Sequence, residues 1–317
     1  MPLPDRMPSY DELPIRSGLP AGSAWGVFGD DDEVGCINLV TPAKALEAAA
    51  LVRTGKTFSL NWELEQPVPV MFRRGLPRHT ILKEAYGCDD VLDNFFPQSS
   101  SQWDGLTHIT HPEHGFYNGV TGDQITGRPG TKNGIEHWAK RGIVTRGVLL
   151  DVARYLASQG RPVDGSQSVR FSVADLEATR QAQGGVELRQ GDILLLRTGW
   201  MAWYLEAPLA DRMLLANMAT HRTPGLEGSM EMVEWLWNTH FAAVAGDNPS
   251  LEAFPMAGLS LHRHMIPLLG LPIGEMFFTE RLAEDCAADG VYEFMLTSAP
   301  LNLLGGVGSP PNALAIK

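Results

Sequence analysis

The sequence predicts an α/β fold, in which short buried strands alternate with helices. Three apolar runs have the length and composition of buried strands, at residues 147–152, 191–198 and 241–245. Helical patterns occupy 172–182 and 228–239, one in each interval between successive runs. Strands that alternate with helices along a chain are typical of α/β domains. We therefore expect a sheet with helices packed against it.

The remaining elements are weaker. An Ala-rich stretch at 42–51 predicts a short helix, with Thr41 as its N-cap and a proline at its first position. Alternation over 57–64 indicates a strand, and 261–266 indicates a short helix that ends before a proline. The region 67–101 shows no regular pattern, so we expect it to be irregular.

The domain organisation is simple. Residues 1–23 are rich in Pro, Gly and Ser and predict an N-terminal arm that lies over a surface or over a partner subunit. Residues 24–317 contain no internal repeat, low-complexity tract or strong boundary, and we treat them as a single domain.

Composition excludes several function classes. The chain has 317 residues and a formal net charge of −12, which argues against nucleic-acid or anionic-membrane partners. The three cysteines are odd in number and far apart, which does not suit a disulfide framework or a zinc finger. The first residues contain no signal-like apolar core, and no apolar run approaches the ~18 residues of a membrane span. These features predict a cytoplasmic enzyme.

The most informative segment is 102–114. It contains Asp104, His108, His111 and His114, so that three histidines fall within seven residues. Histidine and aspartate both bind divalent metals, and histidine transfers protons near neutral pH. Oxygen and nitrogen donors without thiolates suit one Zn²⁺ or Mn²⁺ ion. The alternative is a solvated loop, or a buried Asp–His hydrogen bond without metal.

This segment resembles the motif His-x-Gly-Thr-His-x-Asp-x-Pro-x-His of the cyclase family of metal-dependent hydrolases, which includes bacterial kynurenine formamidase and isatin hydrolase. Four positions match the motif: Thr107, His108, Pro112 and His114. Two positions depart from it, because Asp104 replaces the first histidine and Thr110 replaces the aspartate. The first replacement keeps a ligand, whereas the second exchanges a carboxylate for a poorer hydroxyl.

Further segments carry the resemblance along most of the chain, in the family's order. They include Arg146–Asp151, Gly191–Trp200, Pro224–Leu226, Ala245–Asn248 with Glu252, and Leu261–His262. The likeness is to a longer branch of the family. It implies a swivelling β/β/α fold with a mixed or barrel-like sheet and flanking helices, and a homodimer or homotetramer.

The resemblance also implies roles for residues outside the central segment. The last histidine, His114, is implied to be the general acid or base. A glutamate on the helix before a Trp-Leu pair is implied to reach the metal, and Glu231 is the best match, with Glu227 and Glu234 as alternatives. His221 is a further candidate ligand. Each of these could instead be an ordinary surface or core residue.

A substrate-binding set completes the predicted site. Trp103 and Tyr117 could supply aromatic walls, and His111, Asn118 and His262 could contact a small-molecule substrate. His262 could instead support a ligand through a hydrogen bond. Most aromatic residues belong to the core, so Trp103 and Tyr117 carry little weight alone.

The function that best fits these features is hydrolysis of a cyclic or acyl amide, imide or lactone by a metal-activated water. A metal-dependent cyclase or dehydratase is the first alternative, and a non-catalytic small-molecule binding protein is the second. The sequence has no Gly-x-Ser-x-Gly, Gly-x-Gly-x-x-Gly or Walker motif, which argues against serine hydrolases and nucleotide sites.

Overall fold

A strongly curled mixed sheet of nine strands organises the molecule. The computed structural model describes residues 3–4 and 6–317. The strands in this part of the chain are β1 (Thr57–Ser59), β2 (Arg78–Glu84), β3 (Gly87–Asp93), β4 (Gln102–Asp104), β5 (Ile143–Leu150), β6 (Arg170–Phe171), β7 (Ile193–Leu196), β8 (Gly225–Leu226), β9 (Ala243–Gly246), β10 (Ile273–Glu275), β11 (Glu293–Ser298), β12 (Gly308–Ser309) and β13 (Ala313–Ile316).

Helices flank this sheet. They are α1 (Pro42–Ala49), α2 (Glu136–Arg141), α3 (Val152–Ser158), α4 (Val173–Ala182), α5 (Trp200–Glu206), α6 (Leu209–Leu215), α7 (Met230–Asn238), α8 (Leu261–Met265) and α9 (Glu280–Asp289). None of the helices within residues 3–4 and 6–317 combines the length and the apolar character needed to cross a bilayer.

The sheet order explains which strands are apolar. The order is β1-β13-β11-β5-β7-β9-β10-β4-β12, with parallel pairing from β5 through β7 and β9 to β10 and antiparallel pairing elsewhere. Every residue of β7 and β9 is buried. Parallel strands covered on both faces require continuous apolar runs, which is why these strands were visible in the sequence.

The predicted α/β class with a mixed sheet and flanking helices is confirmed. Local capping explains the helix starts: the Thr41 side chain accepts a hydrogen bond from the backbone amide of Lys44, and Ser172 caps α4 in the same way. The ends of the strands differ by a few residues from the predicted ends. The predicted strand at 57–64 is only three residues long, and the run at 147–152 extends backwards to Ile143.

The expectation that 67–101 is irregular is wrong in part. Strands β2 and β3 form an antiparallel hairpin with seven paired positions, separate from the main sheet. Nearly all of its residues are exposed. A hairpin without a buried face lacks the alternation of polar and apolar residues that would reveal it in a sequence.

The N-terminal arm lies over its own chain. The Trp237 indole N–H donates to the Pro8 carbonyl, and the Tyr10 backbone amide donates to Asn238 Oδ1, so the arm is held against α7. Met7, within the arm, is buried. Residues 1, 2 and 5 of the predicted arm lie outside the described residues.

Candidate metal centre

Two neighbouring strands place three polar side chains on one face of the sheet. Strand β4 pairs antiparallel with β10, so that Glu275 lies opposite Gln102 and Ile273 lies opposite Asp104. Because side chains alternate along a strand, Gln102 and Asp104 share a face. Glu275 joins them across the pair, and all three are buried.

The start of α8 adds an imidazole to these carboxylates. His262 Nε2 lies 3.1 Å from Glu275 Oε1 and 3.5 Å from Asp104 Oδ2. Asp104, His262 and Glu275 each offer one ligand atom, and these atoms lie within 4.8 Å of one another. The three residues therefore have the donor types and the spacing of a metal site.

The carboxylates are held from behind by amide and guanidinium groups. Gln102 Nε2 donates to Glu275 Oε2 at 2.5 Å and to Asp104 Oδ1 at 3.1 Å. Arg74 in turn donates from Nη1 to Gln102 Oε1, at 3.1 Å, and to the backbone carbonyl of Gln98. These bonds fix the Gln102 amide so that its donor side faces both acids.

A third carboxylate, that of Glu252, orients the imidazole. His262 Nδ1 lies 3.2 Å from Glu252 Oε1, which also accepts from the Ser260 hydroxyl. The other Glu252 oxygen accepts from the backbone amide of Leu261, at the start of α8. A carboxylate on one ring nitrogen directs the lone pair of the other nitrogen toward a metal, and this arrangement is common in metal sites.

The electrostatics of this group favour a cation. Burial alone would lower the pKa of the His262 imidazole, but the carboxylates of Asp104, Glu252 and Glu275 outweigh burial and raise that pKa well above its ordinary value. Burial, followed by the charge of Asp104, raises the pKa of Glu275 to about 7. Three acids around one imidazole leave excess negative charge, even when the imidazole is protonated.

One buried oxygen lacks a hydrogen-bond donor among the residues that the structure describes, and His262 Nε2 faces it at 3.5 Å. Asp104 Oδ2 is inaccessible to solvent and accepts no hydrogen bond from the described residues. Leaving a buried carboxylate oxygen without a partner is costly, so such an atom indicates an absent ligand. Two carboxylates and an imidazole suit borderline divalent ions such as Zn²⁺ and Mn²⁺. The residues present therefore fit a divalent metal.

His262 and Glu275 line a cavity of about 270 Å³, which we call the Asp104 cavity after the carboxylate they contact, although Asp104 itself is not a lining residue. Its polar lining includes His262, Glu275, Glu252 and His108. Its apolar lining is formed by Phe72, Ile109, Pro249, Phe254 and Met256. A small pocket with an apolar wall and a few convergent polar groups is typical of a small-molecule site.

His108 and Thr110 differ in their relation to this cavity. His108 Nε2 lies 3.6 Å from Asp104 Oδ1, and its ring lines the cavity. Burial lowers the pKa of His108, so its imidazole is predominantly neutral near pH 7. Thr110 is exposed, and its hydroxyl donates to the backbone carbonyl of His111. The structure thus brings His108 to Asp104 and leaves Thr110 at the surface.

The other two histidines of the segment line a different cavity. His111 and His114 stack with ring centroids 4.6 Å apart, beside His264. They line a space of about 730 Å³ together with Tyr10 and other residues of the N-terminal arm, and we call it the arm cavity. This corrects the expectation that His114 approaches the metal from its far side and that His111 contacts the same substrate.

Two predicted ligands lie elsewhere. Glu231 is exposed on α7, whose neighbouring Met230 and Glu234 line the arm cavity. His221 is buried, its Nδ1 lies 2.7 Å from the Leu215 carbonyl, and its ring packs against two aromatic residues of the Asp104 cavity wall. The structure therefore corrects Glu231 as a ligand and places His221 behind the wall.

Three predicted substrate contacts are structural. Trp103 points to the opposite face of β4 from Asp104, where it donates to Ser298 Oγ. Tyr117 is fully buried and donates to Asp32 Oδ2. Asn118 donates to the backbone carbonyls of Gly29 and Asp32. These residues are corrected to internal packing, whereas His262 is placed among the candidate ligands.

The sequence reasoning missed Glu275 and Gln102, and it left Arg74 open between a pocket edge and a solvated residue. A signal for Glu275 existed, because it is the only charged residue between Met265 and Thr279. A carboxylate in so apolar a run is rarely buried without a partner. Nothing in the sequence distinguishes Arg74 from its neighbour Arg73.

The chain is similar to proteins of one known family. The Cyclase family model matches residues 48–253. The crystal structure of a novel cyclase is 36% identical, with a TM-score of 0.81 over 93% of this chain and 99% of that one. The sequence has no significant match among curated proteins.

More distant structures share the fold. Isatin hydrolase A from Ralstonia solanacearum is 18% identical, with a TM-score of 0.55 over 87% of this chain and 98% of that chain. Isatin hydrolase A from Labrenzia aggregata, solved with benzyl benzoate, is 15% identical, with a TM-score of 0.54 over 84% of this chain and 94% of that chain. The family match covers more than half of the chain, and the 36% identical cyclase covers nearly all of it. The chain therefore belongs to the Cyclase family.

Proposed function

We propose that this protein is a metal-dependent hydrolase that opens a cyclic or acyl amide, imide or lactone. The observation that carries the proposal is the buried group Asp104, His262 and Glu275, in which one Asp104 oxygen accepts no hydrogen bond from the described residues. Two members of the group, His262 and Glu275, line a small cavity. The isatin hydrolases that share the fold support a hydrolytic reaction.

Asp104, His262 and Glu275 would hold one Zn²⁺ or Mn²⁺ ion, and we assign His108 as the fourth donor. A neutral imidazole beside Asp104 Oδ1 can donate a lone pair to the ion. When bound, the ion would polarise the substrate carbonyl and lower the pKa of a coordinated water. The His108→Ala variant should lose metal and activity together, whereas retention of metal would make His108 a proton-transfer residue instead.

The protein's own residues supply orientation and exclusion of water. Glu252 fixes the tautomer and the direction of His262, and Gln102 holds both carboxylates in place. Phe72 and Phe254 form an apolar wall that binds the uncharged part of a substrate and keeps bulk water out. These contacts are already formed in the folded protein, so they would not have to rearrange during the reaction.

A second candidate function is ring closure or dehydration, since the 36% identical structure is described as a cyclase. The two functions are separated by incubating the metal-loaded protein with simple lactones, cyclic imides and N-formyl amides, and separately with the corresponding open-chain acids. Hydrolysis of at least one closed compound, absent in metal-free protein, is the expected result. Exclusive ring closure would favour a cyclase, and neither reaction would indicate a binding protein.

The proposed oligomer is a homodimer or homotetramer. It is supported by an exposed hairpin carrying large apolar side chains, Ile81, Leu82 and Leu92, which a monomer would leave in water. Light scattering at micromolar concentration should give at least twice the mass of 34.6 kDa, and a monomer would contradict the proposal.

A further inference from the structure

Two arginines with unused side-chain donors line the Asp104 cavity. They are Arg74 and Arg263, which line the same cavity as His262 and Glu275. Within the described residues, Arg74 donates side-chain hydrogen bonds only from Nη1, to the Gln98 and Gln102 oxygens, so its Nη2 and Nε are free to bind a ligand. The Arg263 side chain forms no ion pair with any described residue, and Arg263 is exposed at the cavity mouth.

The carboxylates of the cavity already have partners. Glu275 is paired with His262 and Gln102, and Glu252 is paired with His262 and the start of α8. The arginines therefore have free donors and no internal carboxylate to receive them.

The backbone beside Arg74 supports a specific placement. Phe72 and Arg73 both adopt left-handed φ values, of 55° and 59°. Two consecutive non-glycine residues in this region are energetically unfavourable, and such strain is typical of segments that position functional groups. The turn directs Phe72 and Arg74 to the cavity, with the Arg74 guanidinium 5.2 Å from the Phe72 ring centroid.

We propose that Arg74 and Arg263 form an anion-binding subsite, and that the substrate is an amide, imide or lactone carrying an apolar ring and a separate carboxylate. This inference rests on the proposed function. The ring would pack against Phe72 and Phe254, and the carboxylate would bind the arginines while the reacting carbonyl faces Asp104 and His262. Arginine forms paired hydrogen bonds with carboxylates, which fixes orientation as well as affinity.

A carboxylate near the arginines has two possible sources, the substrate itself or the acid produced by hydrolysis. Aromatic acids distinguish them. Benzoate can place its one carboxylate either at the metal or at the arginines, whereas phthalate, isophthalate and homophthalate can occupy both places. If the substrate carries a separate carboxylate, at least one diacid should bind metal-loaded protein about tenfold more tightly than benzoate.

The test is calorimetric measurement of these dissociation constants for wild type, Arg74→Met and Arg263→Met. Arg73→Met is the matched control, because it removes the same charge from an exposed neighbour outside the cavity lining. We define the diacid advantage as the dissociation constant of benzoate divided by that of the best-binding diacid. This ratio should fall about tenfold in Arg74→Met, fall less in Arg263→Met, and stay at the wild-type value in Arg73→Met. A diacid advantage that is absent, or that survives both cavity variants, would overturn the proposal.

Elemental analysis of the same samples separates this inference from the proposed function. Arg74→Met could lose metal because Arg74 holds Gln102, and elemental analysis would detect that loss. In that case the diacid affinity of Arg263→Met decides whether the subsite exists, because Arg263 does not contact Gln102. If wild type binds no metal, the proposed hydrolase fails. The subsite is then judged by whether benzoate binds more tightly than benzamide, and by whether Arg74→Met removes that preference but Arg73→Met does not.

Discussion

The Asp104 cavity and the arm cavity divide one histidine-rich segment between them. Asp104 and His108 lie at the end of a buried strand, where neighbouring elements add His262 and Glu275. His114, six residues after His108, stacks on another histidine beside the N-terminal arm. The first group is surrounded by buried hydrogen-bond partners, whereas the second lies on a loop. Strand register, rather than closeness in sequence, therefore assembles the site.

The largest effect should come from the buried carboxylate of the Asp104 cavity. We expect Asp104→Asn to lower metal affinity more than ~100-fold, because a first ligand should matter more than the outer residues that typically contribute 10–100-fold. Competition with a chelating dye measures this affinity. An affinity within tenfold of wild type would show that Asp104 is not a ligand.

The orientation of His262 should have the next largest effect. Glu252→Ala removes the partner of His262 Nδ1 and is expected to weaken metal binding by roughly 10–100-fold. Glu252→Gln, which keeps an acceptor, should weaken it less. Equal affinities for wild type and Glu252→Ala would mean that the imidazole is held by other contacts.

Substitutions in the arm cavity should change metal affinity and turnover much less. We expect His114→Ala to leave metal affinity within about threefold of wild type, since its ring lies in the other cavity. Turnover should also change less than the ~10²-fold typical of losing a general base. A loss of that size with the metal retained would restore His114 as the proton-transfer residue and would require the loop to move.

The smallest effect is expected at Thr110. Its side chain is exposed and, among the described residues, its hydroxyl donates only to the His111 backbone carbonyl, so Thr110→Ala should alter metal affinity less than twofold. Metal titrations of Thr110→Ala and Asp104→Asn should be run side by side, because Asp104→Asn should lower metal affinity far more. If Thr110→Ala weakens binding as strongly, the loop must fold onto the metal.

Much of the fold was predictable because β5, β7 and β9 are covered on both faces and read as continuous apolar runs. Capping residues such as Thr41 and Ser172 made helix starts equally visible. The β2–β3 hairpin was missed because it buries no face, so no hydrophobic period marks it.

The site was only half predictable. Asp104 and His108 are close in sequence and match a motif, but Glu275 reaches them only through the β4–β10 register. Glu231 was proposed from its helix position, yet a helix turns its residues outward as readily as inward, and this one is exposed. Contacts between residues more than a hundred positions apart cannot be read from local spacing.

The central claim is that Glu275, rather than a glutamate of α7, completes the metal site. Elemental analysis of purified wild type, Glu275→Gln and Glu231→Gln tests it directly, because the two variants make the same chemical change. We predict about one Zn or Mn ion per chain in wild type and in Glu231→Gln, and a large loss of metal in Glu275→Gln. Full metal content in Glu275→Gln, or its loss in Glu231→Gln, would contradict the account.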